Sequence, residues 1–148
     1  MDSLTQIALG ATAGAICVSP KDKRRAAVVG AVLGTLPDLD VLIRYADPID
    51  NFIKHRGFSH SFLVLVTLSL LIWFIARKLT NCVSSDPYTW LASITLALVT
   101  HPILDAHTVY GTQLLWPLDS PPVMWSTIFI IDPAYTLPLV LSTVFVIW

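Results

Sequence analysis

The chain has 148 residues, of which 55% are hydrophobic and 13% are charged, and its formal net charge is −1. Because an average soluble domain carries roughly 25% charged residues, a soluble protein of this length could not bury so much apolar surface, and the composition favours a membrane protein. The near-neutral charge, without a basic stripe of interleaved aromatic residues, argues against nucleic-acid binding. Cys17 and Cys82 form no C-x-x-C pair, which argues against a disulfide scaffold or a thiolate metal site.

Five apolar runs follow one another along the chain, and each predicts a helix or part of one. In the first run Gly10 and Gly14 stand four residues apart, a small-residue spacing that permits close packing of helices in a bilayer. A membrane span usually needs about 20 residues, so this first run is short for a complete span. The runs cover residues 4–18, 26–43, 62–76, 88–104 and 127–148.

The second run is interrupted where Asp38 and Asp40 follow Pro37. A proline disfavours helix in the residue before it, and a broken helix at membrane depth is tolerated where it faces protein or a water-filled cavity. We therefore expect one all-α domain over residues 1–148, a polytopic membrane helical bundle with about four to five spans or partial spans and broken helices around a polar site. The last run ends at Trp148 without a polar tail, so the chain is expected to be the N-terminal part of a longer protein.

Basic residues at 21–25 and 77–78 predict which ends of the helices face the cytoplasm. If the apolar runs alternate across the membrane, most of the polar residues fall on the opposite, non-cytoplasmic face. Three basic residues also fall on the non-cytoplasmic face and count against this orientation, because basic residues are expected on the cytoplasmic side. They are Arg44, Lys54 and Arg56. The orientation gathers these residues on one face: Asp38, Asp40, His55, His60, His101, Asp105 and His107, together with Asp2, Gln6 and Asp132.

Histidines beside aspartates on this face suggest a metal site, since polar groups near lipid are costly and indicate function by default. His55 and His60 frame the stretch His-Arg-Gly-Phe-Ser-His-Ser, and His101 stands four residues before Asp105, which places both on one side of a helix. Imidazole with carboxylate suits Zn²⁺ first, with Mn²⁺ or iron also fitting, and one or two ions. The lack of cysteine ligands favours a catalytic metal over a closed structural zinc site.

A metal of this kind would activate water and polarise a phosphoryl or carbonyl oxygen. Arg56 could then hold an anionic substrate through paired hydrogen bonds. Ser59 and Ser61 lack the sequence context of a serine nucleophile, so Ser59 is expected to cap the helix that follows. Two other classes fit the same residues: a cation transporter, and a non-enzymatic membrane assembly factor whose polar residues pin helices together.

The whole chain resembles the membrane-bound, metal-dependent hydrolases of bacteria and archaea in an ordered set of motifs. The family is distantly similar to zinc-dependent phospholipase C and P1-type nucleases, helical enzymes that cut phosphoesters at a His/Asp metal cluster. The resemblance implies a multi-pass inner-membrane hydrolase that acts on a small-molecule or lipid phosphoester. The motifs are Met-Asp-Ser-Leu-Thr-Gln at 1–6, Gly-Thr-Leu-Pro-Asp-Leu-Asp at 34–40, His-Arg-Gly-Phe-Ser-His-Ser at 55–61, His-Pro-Ile-Leu-Asp at 101–105, Gly-Thr-Gln-Leu-Leu-Trp-Pro at 111–117 and Ile-Asp-Pro-Ala-Tyr-Thr at 131–136.

The resemblance also implies roles for single residues. Family members often carry histidine where this chain has Gln6, so Gln6 is expected either to weaken one metal position or to support a ligand indirectly. His107 and Asp132 stay undecided as members of the site, and no oligomeric state is predicted. The implied metal ligands are Asp38, His55, His60, His101 and Asp105, with Asp40 close behind; Asp40 and Arg56 are the predicted catalytic residues.

Overall fold

A computed structural model describes residues 2–42 and 56–148, and in these ranges the chain is an all-α bundle, as predicted. The predicted ligand His55 lies outside the described residues. Six α-helices occur in the two described ranges: α1 (Ser3–Ile16), α2 (Lys23–Thr35), α3 (Phe62–Leu79), α4 (Asn81–Ser85), α5 (Pro87–Ala106) and α6 (Pro133–Ile147).

Helices α1 and α2 run antiparallel at a separation that glycine alone permits. A Cβ atom on Gly30 would lie 2.1 Å from the carbonyl oxygen of Gly10, and one on Gly34 would lie 2.8 Å from that of Gln6. Gly14 lies against Gly30 in the same way. The two glycines of α1, Gly10 and Gly14, therefore lie against a second pair with the same four-residue spacing in α2, Gly30 and Gly34. The two backbones pack directly on each other.

Helix α5 packs against three helices, α1, α2 and α3. The Ser93 hydroxyl donates to the Gly14 carbonyl across 2.7 Å, and the Thr95 hydroxyl donates to the Ser69 hydroxyl across 3.0 Å. The first contact joins α5 to α1 and the second joins it to α3, and α5 runs antiparallel to both of these helices. The core between these helices contains Leu33, Leu65, Ile94, Ala97 and Leu98.

Two helices in the described ranges are long and apolar enough to cross a membrane. They are α3, which has 18 residues, and α5, which has 20. In the most apolar 18-residue stretch of each helix, 11% of the residues are buried in α3 and 56% in α5. Helices α1 and α6 are also apolar but have only 14 and 15 residues. The larger number of spans expected from the sequence stays a prediction.

The predicted break at Pro37 is confirmed, since helix α2 stops at Thr35 and a 3₁₀ helix follows over Pro37–Leu42. Two other details of the predicted helices are wrong. The last helix begins at Pro133 and not at residue 127, because the Asp132 carboxylate caps it by accepting the N–H of Ala134 at 3.0 Å. Ser59 does not cap α3, which begins at Phe62 after a separate 3₁₀ helix over Phe58–His60.

The antiparallel order brings four chain segments to one end of the bundle. These segments are the start of α1, the 3₁₀ helix after α2, the 3₁₀ helix before α3 and the last turn of α5. The basic residues 21–25 and 77–78 lie at the opposite helix ends. The polar residues that the sequence singles out are thus concentrated where the helices begin, break or end.

Replacing Gly30 by alanine should force α1 and α2 apart, because the added methyl group would overlap the Gly10 carbonyl. Overpacking of this kind costs about 1–3 kcal/mol of unfolding free energy. Thermal unfolding in detergent, followed by circular dichroism, should show a lower midpoint. Val32→Leu, at a position of the same helix that is 61% exposed, should leave the midpoint unchanged. A wild-type midpoint for Gly30→Ala would contradict the direct packing.

Candidate metal centre

Two imidazoles and two carboxylates meet at a common point at this end of the bundle. One ligand atom from each of these side chains lies within 4.8 Å of the other three. The Nε2 atoms of His60 and His101 are 3.2 Å apart. Asp38 Oδ1 lies 3.3 Å from His101 Nε2 and 3.7 Å from His60 Nε2, and Asp105 Oδ2 lies 3.6 Å and 3.2 Å from the same two atoms.

These separations match the spacing of ligand atoms around one metal ion. Four ligands at about 2.1 Å from a tetrahedral ion stand roughly 3.4 Å from one another. A two-metal site would hold its ions about 3.5–4 Å apart and would require a wider set of ligands. Among the described residues, the group of Asp38, His60, His101 and Asp105 therefore fits a single ion.

The four ligands come from segments that leave little freedom to their side chains. Asp38 lies in the 3₁₀ helix that follows α2, and His60 closes the 3₁₀ helix before α3. His101 and Asp105 lie one turn apart on α5, which continues through Pro102. The proline therefore does not disturb the predicted four-residue spacing, and both side chains point to the same side of the helix.

A main-chain carbonyl orients the imidazole of His101. Its Nδ1 atom lies 2.5 Å from the carbonyl oxygen of Gly34. A carbonyl oxygen only accepts hydrogen bonds, so Nδ1 carries the proton and Nε2 presents its lone pair to the other ligands. Histidines that bind metals commonly have such a partner on the second ring nitrogen, which fixes the ring and its tautomer.

A serine and an aspartate orient the imidazole of His60. The Ser59 hydroxyl donates to Asp40 Oδ2 across 2.6 Å, so its oxygen accepts from His60 Nδ1 across 2.9 Å. The same carboxylate accepts the main-chain N–H of Arg56 at 3.1 Å, where Arg56 has a left-handed backbone with φ of 63°. Asp40 thereby holds the turn that carries His60, and His60 also directs its Nε2 lone pair to the centre.

Asp105 is held from both sides. The Gln6 amide donates to Oδ1 across 3.2 Å, and Arg56 Nε lies 3.4 Å from Oδ2. The Arg56 guanidinium also donates to the Thr108 hydroxyl and lies over the Tyr110 ring. Gln6 thus contacts the candidate ligand Asp105. This contact agrees with the second of the two roles expected for Gln6, the indirect support of a ligand.

The charges of this region call for a cation. The carboxylates of Asp38, Asp40 and Asp105 lie close together in a largely buried place, and the Arg56 guanidinium lies beside Asp105. Burial opposes the charge on Asp38, but hydrogen bonds and charges from His101 and His60 outweigh burial and lower the pKa of Asp38. Burial likewise disfavours a charged His60, but hydrogen bonds to Asp105 and Asp38 raise the pKa of His60. A divalent ion at the point where the ligand atoms meet would be attracted by these carboxylates.

The remaining predicted residues lie apart from the four ligand atoms. His107 shares a hydrogen bond of 2.7 Å with the Thr127 hydroxyl, and its ring packs edge-on against Trp125. Asp132 caps α6. Asp40 lies behind His60, 3.6 Å from its Nδ1 atom, so a direct catalytic contact of Asp40 stays a prediction. The sequence did not predict the contact of Ser59 with His60 or that of the Gly34 carbonyl with His101. Only the first had a local signal, because Ser59 directly precedes His60.

The chain is similar to known inner membrane proteins. Over residues 1–148 the chain matches the family described as YdjM inner membrane protein, and it belongs to that family. It is 35% identical over 96 residues to Inner membrane protein YbcI of Escherichia coli (strain K12), covering 60% of this chain and 51% of that protein. It is 27% identical over 140 residues to Uncharacterized protein YfhP of Bacillus subtilis (strain 168), and this match covers 90% of this chain and 42% of that protein. The chain spans about half or less of these relatives, and no solved structure matches it significantly.

Replacing His60 or His101 by alanine should remove the bound metal, because each change deletes one of the two imidazole ligands. Elemental analysis of purified protein should find about one ion per wild-type chain and almost none in either variant. His107→Ala is the matched control, since it makes the same change outside the group of four and should keep the metal. Equal metal content in all four proteins would contradict the metal centre.

Proposed function

We propose that this protein is a membrane-embedded, metal-dependent hydrolase that cleaves a phosphoester bond by attack of water. The convergence of two imidazole Nε2 atoms and two carboxylate oxygens on one point carries the proposal. In the reaction the water oxygen bonds to phosphorus, the bond from phosphorus to the leaving oxygen breaks, and the leaving group takes up a proton. Zn²⁺ is the first choice of ion, and Mn²⁺ or iron would also suit the ligands.

The residues of the centre would divide the work between them. Asp38, His60, His101 and Asp105 would hold the ion, which when bound lowers the pKa of water and polarises a phosphoryl oxygen. Arg56, beside Asp105, places a positive charge where an anionic substrate would need one. Asp40 Oδ2, joined to His60 through the Ser59 hydroxyl, keeps the Nδ1 proton in place and stabilises a charge on the ring.

A hydrolytic site needs an open position on its metal. Four protein ligands would close a four-coordinate zinc shell, whereas five-coordinate zinc or a six-coordinate ion leaves about one or two positions for water. The Asp38 side chain is 29% exposed, while the side chains of the other three ligands are buried. Water and substrate would therefore approach from the side of Asp38.

The position of the cluster favours hydrolysis over cation transport. Transporters hold their ions near the middle of the membrane, where both faces can be reached in turn. Here Asp105 is the second-to-last residue of α5, and His60 precedes the first residue of α3. An assembly factor whose polar groups only pin helices together would not need two imidazole lone pairs that face two carboxylates.

A screen with bis(p-nitrophenyl) phosphate in detergent tests the proposed activity. Wild-type protein should release p-nitrophenol, a chelator should stop the release, and added Zn²⁺ or Mn²⁺ should restore it. His101→Ala should lower the rate by at least about 100-fold, since even the outer partners of metal ligands are worth roughly 10–100-fold. His107→Ala should keep wild-type activity. A chain that binds metal yet cleaves no phosphoester would overturn the hydrolase proposal.

The proposal places the metal centre at the non-cytoplasmic face of the inner membrane, because the basic residues at 77–78 and 21–25 lie at the other helix ends. Cysteine labelling in intact cells tests this in a chain whose Cys17 and Cys82 are replaced by serine. A membrane-impermeant thiol reagent should label Asp119→Cys, in the exposed loop after α5, and should spare Ser84→Cys in α4. The reverse pattern would place the centre in the cytoplasm.

A further inference from the structure

An apolar groove lies beside the metal centre, between α3 and the two 3₁₀ helices that carry Asp38 and His60. Its volume is about 260 Å³. Apolar side chains line most of it, while a hydrogen-bonded polar pair lies in its wall. The apolar lining includes Leu39, Phe58, Val64 and Leu68, and the polar pair is Asp40 and Ser59.

The groove continues into the exposed face of α3. Val64 and Leu68 are one turn apart, and the same helical stripe goes on through Leu71 and Ile75, which are 55% and 47% exposed. Helix α3 is a candidate membrane span with only 11% of its residues buried. In an inner membrane protein such a face contacts the acyl chains of the bilayer, so the groove is open to the same chains.

The polar wall of the groove lies next to a metal ligand. The Ser59 hydroxyl is 2.9 Å from His60 Nδ1, so one imidazole ring separates the groove from the point where the ligand atoms meet. Asp38, the partly exposed ligand, stands between the groove-lining residues Pro37 and Leu39. A molecule seated in the groove would have its apolar part along α3 and its polar part beside the centre.

The volume limits what the groove can hold. Pockets that enclose a drug-sized ligand measure about 300–1,000 Å³. A groove of about 260 Å³ is too small for a whole lipid but suits a length of one acyl chain whose remainder stays in the bilayer. A small soluble phosphoester has no acyl chain to lie along this surface.

We propose that the groove binds an acyl chain of a bilayer phospholipid, so that the substrate of this hydrolase is a phospholipid that enters sideways along α3. The cleavage part of this inference rests on the proposed function, whereas lipid binding in the groove does not. The phosphate would approach the centre on the side of Asp38, with its acyl chain against Val64 and Leu68. The groove then selects long-chain substrates, and the metal centre performs the same cleavage on any phosphoester that reaches it.

Filling the groove tests the inference. Leu68→Trp places a large ring in the groove, and Leu70→Trp is the matched control on another side of the same helix, where Leu70 is 47% exposed. The full chain is purified in detergent with dioleoyl phosphatidylglycerol, and native mass spectrometry counts the retained lipid. Leu68→Trp should retain less lipid than wild type and Leu70→Trp.

In the cleavage assay Leu68→Trp should lower the rate on this lipid by at least about tenfold, the effect of roughly one methylene group in an apolar pocket. Its rate on bis(p-nitrophenyl) phosphate should stay within about twofold of wild type, because the centre is unchanged.

The possible outcomes separate the two proposals. Equal lipid retention in wild type, Leu68→Trp and Leu70→Trp would overturn the groove as a lipid site, whatever the activity. Equal loss of both cleavage activities in Leu68→Trp would mean that the substitution disturbs the centre and that the groove does not select substrates. If wild type cleaves neither substrate but Leu68→Trp alone loses retained lipid, the hydrolase proposal fails while the lipid site stands.

Discussion

The direct contact between the backbones of α1 and α2 is the constraint on which the metal centre depends. Gly34 lies at the end of this contact, against Gln6 and Gly10. The same contact brings the Gly34 carbonyl to His101 and the Gln6 amide to Asp105. Hydrogen bonds weaken steeply when their atoms move apart by a few tenths of an ångström, so a wider separation of the two helices would release both ligands of α5. The glycines of the first two helices therefore position groups that belong to the fifth.

The two imidazoles reach the same protonation state by different means. His101 uses the buried main-chain carbonyl of Gly34 near the end of α2, and His60 uses the Ser59 hydroxyl, which donates to the Asp40 carboxylate. In both cases the Nδ1 proton is fixed and the Nε2 lone pair faces inward. The two Nε2 atoms lie 3.2 Å apart, so the outer partners direct both rings to one point that a metal ion would fit. The helix break after α2 serves twice, because it frees the carbonyl and also turns Asp38 inward.

Local spacing predicts part of this arrangement from the sequence. The glycine spacing of α1, the break at Pro37 and the pairing of His101 with Asp105 all follow from helix geometry or proline chemistry within a few residues. The sequence also indicates that the polar residues gather at one end, since basic residues mark the other ends. The roles of Ser59 and Gly34, and the position of Asp40 behind His60, depend on contacts between distant segments. Local spacing cannot tell which of two neighbouring carboxylates faces the ligand atoms. His107 shows the same difficulty, since its Thr127 partner is twenty residues away.

The surroundings of the centre differ sharply on its two sides. Asp38 is partly exposed and gives water access to the ligand atoms, while three buried ligands close the other directions. The groove beside α3 opens instead onto the exposed apolar face of that candidate membrane span, and it meets the centre at the Asp40–Ser59 pair. Hydrolysis of a bilayer lipid needs both, because water must come from the aqueous side and the acyl chain cannot leave the apolar side without a large loss of free energy. Burying a methylene group is worth about 0.8 kcal/mol, so keeping an acyl chain in an apolar groove while its phosphate reaches the water-accessible ion avoids most of that loss. A site at the end of the bundle, beside a poorly buried apolar helix, meets this double requirement in a way that a site at mid-membrane would not.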